Sequence, residues 1–261
     1  ESLATLHQHV GTDAPATLNV NGGGDVSSTV DYYIGLRMTG TLNITGAGST
    51  LTAGKELHVG YVSGGHGTLN ASAAAEVACE DAFVARFPGS VGAVLLENSN
   101  TTFTASDSVY VGGDTGVAGG TATFTVADNA MLAVADTLKI YDTATFTVNG
   151  GVVDADTIEL APGAALTTTG IGEVRFNHLT GFGSDVDLNA RASLGTDVGG
   201  SGGSHTVGPG HTLDVQHAFR VGDDAPGSLT VSGGGTVASS FAYIGAEPSS
   251  DGSAALVSGA G

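Results

Sequence analysis

Tryptophan is absent, cysteine occurs once, and 7 lysines and arginines stand against 26 aspartates and glutamates in 261 residues. One thiol cannot close an internal disulfide, so no disulfide framework holds the fold. That lone Cys79 reads as a buried small apolar residue. A formal charge of −19 repels phosphate backbones, so nucleic acid and anionic membranes are not expected partners. No apolar run approaches the roughly 18 residues of a spanning helix, so no membrane insertion by this segment is expected. The opening residues, ESLATLHQHV, have no charged n-region, no apolar h-region and no initiator Met. The expectation is a chain whose leader has been removed, or a piece of a longer one. Enzyme motifs are missing as well: no Gly-x-Ser-x-Gly, no His-Glu-x-x-His, no cysteine pair and no phosphate loop. The glycine-rich run at 199–204 leads into His205 rather than Lys. No catalytic residue is assigned.

Glycine, by contrast, is abundant at 43 residues, but without the every-third spacing of collagen. A mean hydropathy of +0.18 is too high for a disordered acidic tail. The strongest signal is self-similarity. A unit ending in Val-Gly or Ile-Gly recurs as HQHVG (7–11), DYYIG (31–35), ELHVG (56–60), SVYVG (108–112), FRVG (219–222) and FAYIG (241–245). Degenerate copies lie at AFVAR (82–86) and LKIYD (138–142). A second unit precedes it, as in TLNVNGGG (17–24), TLNITGAG (41–48) and SLTVSGGG (228–235), and a short piece such as STLTAG (49–54) lies between.

Within each piece apolar and polar residues alternate. Leu42 and Ile44 share one side of their segment, and Leu57 and Val59 share one side of theirs. That is the period of a strand with one buried face. Three short strands in roughly 24 residues make one coil, which cannot bury its own apolar side. Coils stacked about 4.8 Å apart can. The spacing is too short for propeller blades, and no asparagine ladder or helix marks a leucine-rich repeat. The expected fold is all-β: a parallel β-helix (β-solenoid) of about ten coils, about 50 Å long by the stacking distance. One continuous solenoid is expected, with regular repeats over 1–162, irregular coils with a glycine-rich excursion over 163–218, and regular repeats again over 219–261.

Residues 40–60 spell G-T-L-x-[VI]-x-G-x-G-S-x-L-T-x-G-x-x-L-x-[VI]-G. This resembles the repeat of autotransporter passenger domains and of bacterial surface proteins with a PEP-CTERM sorting tail. The resemblance covers about 1–160 and 205–261. It implies a right-handed β-helix that is exported and displayed or shed, so an extracellular or cell-surface location. It carries no catalytic residues, and the translocator barrel or sorting tail it implies is expected to lie outside residues 1–261 if it exists.

Three sets of residues are candidates for contact. The residue before each recurring Val or Ile gives His9, Tyr33, His58, Phe83 and Tyr110, then Lys139, and later Arg220 and Tyr243. In an aromatic-poor chain, this stripe is either rung-to-rung stacking or a flat platform for a surface glycan or a sister rod. The turn after Val-Gly carries Asp13, Asp114, Asp142 and Asp224, a candidate calcium row, although the strict calcium-binding repeat is missing. No other cofactor is expected. Finally, the termini are in phase: Leu3 to Val10 spans the same seven residues as Val237 to Ile244. Head-to-tail stacking through Leu3, Leu6, Val10, Leu256 and Val257 follows as an expectation, with the chain itself as partner. The expected function is a structural or adhesive rod; the alternative is a polysaccharide-binding or polysaccharide-cleaving β-helix. Ice binding is a weaker option. It needs a flat threonine ladder, and Thr17, Thr41 and Thr68 begin one that Val94 interrupts.

Overall fold

The computed structural model describes residues 2–170, 172–181, 186–188, 190–194, 203–207, 212–222, 226–245 and 252–258. Among them there are strands and no helix, and every paired strand runs parallel to its neighbour. The expected β-solenoid is the observed fold. The coil from residue 39 shows how the sequence builds it. Its three strands are Thr39–Thr45, Thr50–Ala53 and Glu56–Val59. In the first two, burial alternates residue by residue, with Leu42, Ile44, Leu51 and Ala53 inside. The next coil repeats the set at His66–Ser72, Glu76–Cys79 and Asp81–Val84. Leu42 then lies on Leu69, Leu51 on Val77, and Leu57 on Ala82. We call the three stacks of strands the first, second and third faces.

A fully enclosed aliphatic column therefore runs inside the coils. Phe103, Phe124 and Phe146 are buried in it, and the last two rings stack at 5.2 Å. Cys79 belongs to this lining, and burial pushes its thiol pKa up, so it behaves as a small apolar residue.

The recurring glycine marks the corner after the third face. Gly11, Gly35, Gly60, Gly112, Gly222 and Gly245 all take positive φ. Space is as restrictive as conformation: a Cβ on Gly35 would lie 2.2 Å from the His66 carbonyl oxygen. The degenerate AFVAR copy puts Ala85 at this corner, with φ 57°.

Eight regular turns fill residues 2–181, and further turns follow from residue 186, so the count differs slightly from the ten expected. The later turns hold their strands in the same three stacks, but the sequence motif has moved. Gly172–Gly181 closes the regular part and spans the second and third faces. Over its first half lies Ala190–Leu194, and on that lies Phe219–Val221. The FRVG unit, a third-face motif in the early coils, thus stands on the second face. SLTVSGGG shifts likewise: its strand Gly227–Ser232 pairs with Gly203–Val207. That strand in turn packs on the Gly172–Gly181 strand, where His178 Nδ1 meets the Ser204 carbonyl at 3.2 Å. The repeat slips by one third of a turn across residues 186–207.

Candidate functional site: the aromatic column

The outward residue of each third-face strand falls in one lane. Register pairs His9 with Tyr33, Tyr33 with His58, His58 with Phe83 and Phe83 with Tyr110. The five rings stack consecutively, with centroids 4.5–5.4 Å apart and planes 12–22° from parallel. The lane continues as an ion pair, Lys139 Nζ to Glu159 Oε1 at 2.8 Å. Tyr243 is not in it. The slip sets Tyr243 over Arg220, Ser193 and Arg175 on the second face. Counting motifs along the chain misplaces it for that reason.

The platform reading also fails for part of the stripe. His9 is exposed and Tyr33 and Tyr110 are half-buried, but His58 and Phe83 are buried. Turns after the glycine corner fold over them. Tyr61 stands edge-on to Tyr33, Phe87 edge-on to Tyr61, and the Arg86 guanidinium carbon lies 4.0 Å from the Phe83 ring centre. Arg86 also bridges two acids, with Glu56 Oε2 at 2.7 Å and Asp114 Oδ2 at 3.2 Å. Rings stacked along the axis turn their faces to each other and their edges outward. A sugar that stacks on a ring needs its open face, so the column stiffens the coil stack instead.

Acids line one edge of the column. Asp31, Glu56 and Asp81 open successive third-face strands, and the Asp31 and Asp81 carboxylates accept the amides of Glu56 and Ser108 one coil on. Contact with His58, together with the Arg86 charge, holds the Glu56 carboxyl down at about 2, against the pull of burial. His58 Nε2 stands 3.0 Å from Glu56 Oε2, without the alignment of a full hydrogen bond. Burial lowers the His58 pKa, so the ring is neutral. Asp31 also holds Tyr33: the phenol donates to Asp31 Oδ2 at 3.1 Å. Burial, then Asp31, raise the Tyr33 pKa. Sequence reasoning missed Glu56, Arg86 and Phe87. Their only signal is position, at the strand start or just past the corner.

Of the candidate calcium row, Asp13, Asp114 and Asp142 fall among the described residues. Asp114 is engaged by Arg86, Asp13 and Asp142 are exposed on separate turns, and Asp224 lies outside the described residues. Among the described residues no three His, Cys, Asp or Glu side chains gather as a metal set. Of the end-contact residues, Val10 is buried in the first turns and Leu6 is exposed. Leu3 lies in Ser2–Thr5, paired with Val26. In the last described turn Leu256 and Val257 are exposed, the latter at 79%, as is Ile244 at 55%.

The slip builds a second cluster that the sequence shows as scattered. Arg175, Arg191 and Arg220 come to neighbouring rungs of the second face. Arg175 Nε lies 3.2 Å from Glu173 Oε1 and its Nη1 3.7 Å from Asp154 Oδ2; Arg220 Nη1 reaches Glu173 Oε1 at 3.9 Å. Asp154 and Glu173 are buried, and Asn177 donates to Asp156 at 2.8 Å beside them. Comparison with known protein families, with curated proteins and with solved structures finds no match to this chain.

Proposed function

We propose that the chain is a structural rod displayed outside a bacterial cell, acting by presenting its faces rather than by turnover. The observation that carries this reading is the aromatic column. The densest set of chemistry-bearing side chains on the third face is packed into itself and clamped by Arg86. Such a column resists bending and local opening, which suits a spacer or adhesive element. The passenger-like repeat supports a place outside the cell. A further solenoid layer, from the same chain or a sister rod, would cover the exposed lining at Ile244 and Val257. Surface labelling of intact cells that make the protein tests the reading. Labelled protein is the expected result; protein reachable only after lysis overturns it.

One observation favours a second reading, a binder of acidic polysaccharide. Register sets three of the chain's few cations, Arg175, Arg191 and Arg220, on neighbouring rungs of one face, and guanidinium groups pair well with uronate carboxylates. Retention on a polyuronate resin, lost at high salt and weakened by Arg220→Gln, would support it. Passage without retention at low salt removes it.

A further inference from the structure

The outer side of the first face is unlike the rest of this acidic chain. Seven strands build it, from Ala16–Asn21 to Ala165–Thr169, in one uninterrupted parallel ladder. Among all Asp, Glu, Lys and Arg residues of the chain, only Glu97 lies in these strands. Register also removes the interruption expected at Val94. That side chain lies on Leu69, inside and 2% exposed. The threonine row runs outside it: Thr17, Thr41, Thr68, then Ala93, then Thr123 and Thr145. Two residues along each strand a second row holds Asn19, Asn43 and Asn70, then Leu95, then Thr125 and Thr147.

These rows form a net. Its rungs are about 4.8 Å apart, and its rows roughly 6.6 Å apart along each strand. The net is held stiffly: Asn43 donates to Asn19 and Asn70 to Asn43, each at 2.8 Å, so these amides are fixed by their neighbours. Phe and Tyr rings are absent from its outer side, since Phe124 and Phe146 point inward, and the one outward ring is His66 at the start of its strand. A soluble sugar therefore finds no broad stacking platform there, and a charged partner finds only the Glu97 carboxylate at one strand end. What a rigid, nearly uncharged, two-dimensional net of hydroxyl, amide and methyl groups matches is another two-dimensional repeat. The rung separation lies near one repeat of water oxygens on the surfaces of hexagonal ice, and the row separation lies somewhat below the other. The threonine methyls exclude loosely held water, while the hydroxyls hold a first ordered layer in place.

We propose that the first face binds ice through its threonine and asparagine rows. Ice-crystal shaping and the gap between melting and freezing points test this on the whole chain. The unaltered protein should shape crystals and open a measurable gap. Paired Thr125→Tyr and Thr147→Tyr substitutions should abolish both. Thr104→Tyr, equally outward on the second face, should leave both unchanged, with circular dichroism confirming that each variant keeps its strands. Absence of shaping by the unaltered protein overturns the proposal, as does equal loss in the Thr104→Tyr variant. Sedimentation provides the remaining outcome. If the unaltered protein is a dimer that the first-face substitutions dissociate, a second copy covers this face and the ice proposal is wrong.

Discussion

Residues 2–181 and residues 186–258 are two stretches of the same winding, built to different standards. In the first, each sequence motif keeps to one face, the interior is closed, and the outward lanes carry continuous ladders of rings or amides. In the second, the same motifs stand one face further round, and the lining of the last described turn is open. Coil stacking therefore tolerates a motif on any of the three faces. It requires only that apolar side chains keep pointing inward at every second residue. The outward lanes are less tolerant, because a ladder of like residues survives only while the phase is kept. The ring lane gives way to the Lys139–Glu159 pair with the phase still kept, and the slip then brings Arg220 over Ser193 and Arg175.

Truncation of the core should separate the stretches most strongly. Phe146→Ala removes a fully buried, stacked ring and should cost about 3–5 kcal/mol. Ile244→Ala, at a half-open site, should cost about 1 kcal/mol or less. Urea denaturation gives both values, and equal costs would mean the later turns are as closed as the earlier ones. Next come the corner glycines. Gly35→Ala combines positive φ with a backbone clash and should cost about 3 kcal/mol, whereas Gly234→Ala meets nothing within 4 Å and should cost only the roughly 1–2 kcal/mol of a left-handed residue.

Ion pairs should differ by less. Arg86→Ala strips Glu56 and Asp114 of their partner and uncovers Phe83, for about 1–3 kcal/mol. Arg220→Ala breaks a looser, more exposed contact, and its cost should stay below about 1 kcal/mol. Melting points of the two variants decide this. Acid should act first on the ring column. His58 faces Glu56, Arg86 and Asp31, and its pKa is lowered from 6.5, so the stability it contributes is present above pH 6.5 and is lost as pH falls below it. Glu56 follows in the same direction, its contribution fading from pH 4.5 down toward about 2. His58→Gln should flatten the upper part of that profile, read from melting temperature against pH. The smallest effect belongs to Asn43→Ala, which opens one rung of an outward ladder and should cost about 0.5–1 kcal/mol.

The coil could be read from Leu42, Ile44, Leu51 and Leu57 because alternation and turn glycines are local properties of the chain. The ring lane from His9 to Tyr110 was legible for the same reason. Tyr243 was not, since its lane depends on how many strands intervene, and the slip changes that number without changing the motif. Val94 was misassigned by a single position, which exchanges inside for outside in any strand. The burial of His58 was equally hidden, because its cover is a tertiary contact: Tyr61 folds back from the turn just after its own strand, and Arg86 lies over Tyr61 from the turn of the next coil.

Sequence alone determined that this chain winds in short strands around an apolar lining, because a period of two and a recurring glycine corner act within one coil. Only the tertiary structure decided which side chains share a lane, which rings are covered and where the arginines and the uncharged face assemble. Those depend on register between coils, and register is set by the sum of every turn before it.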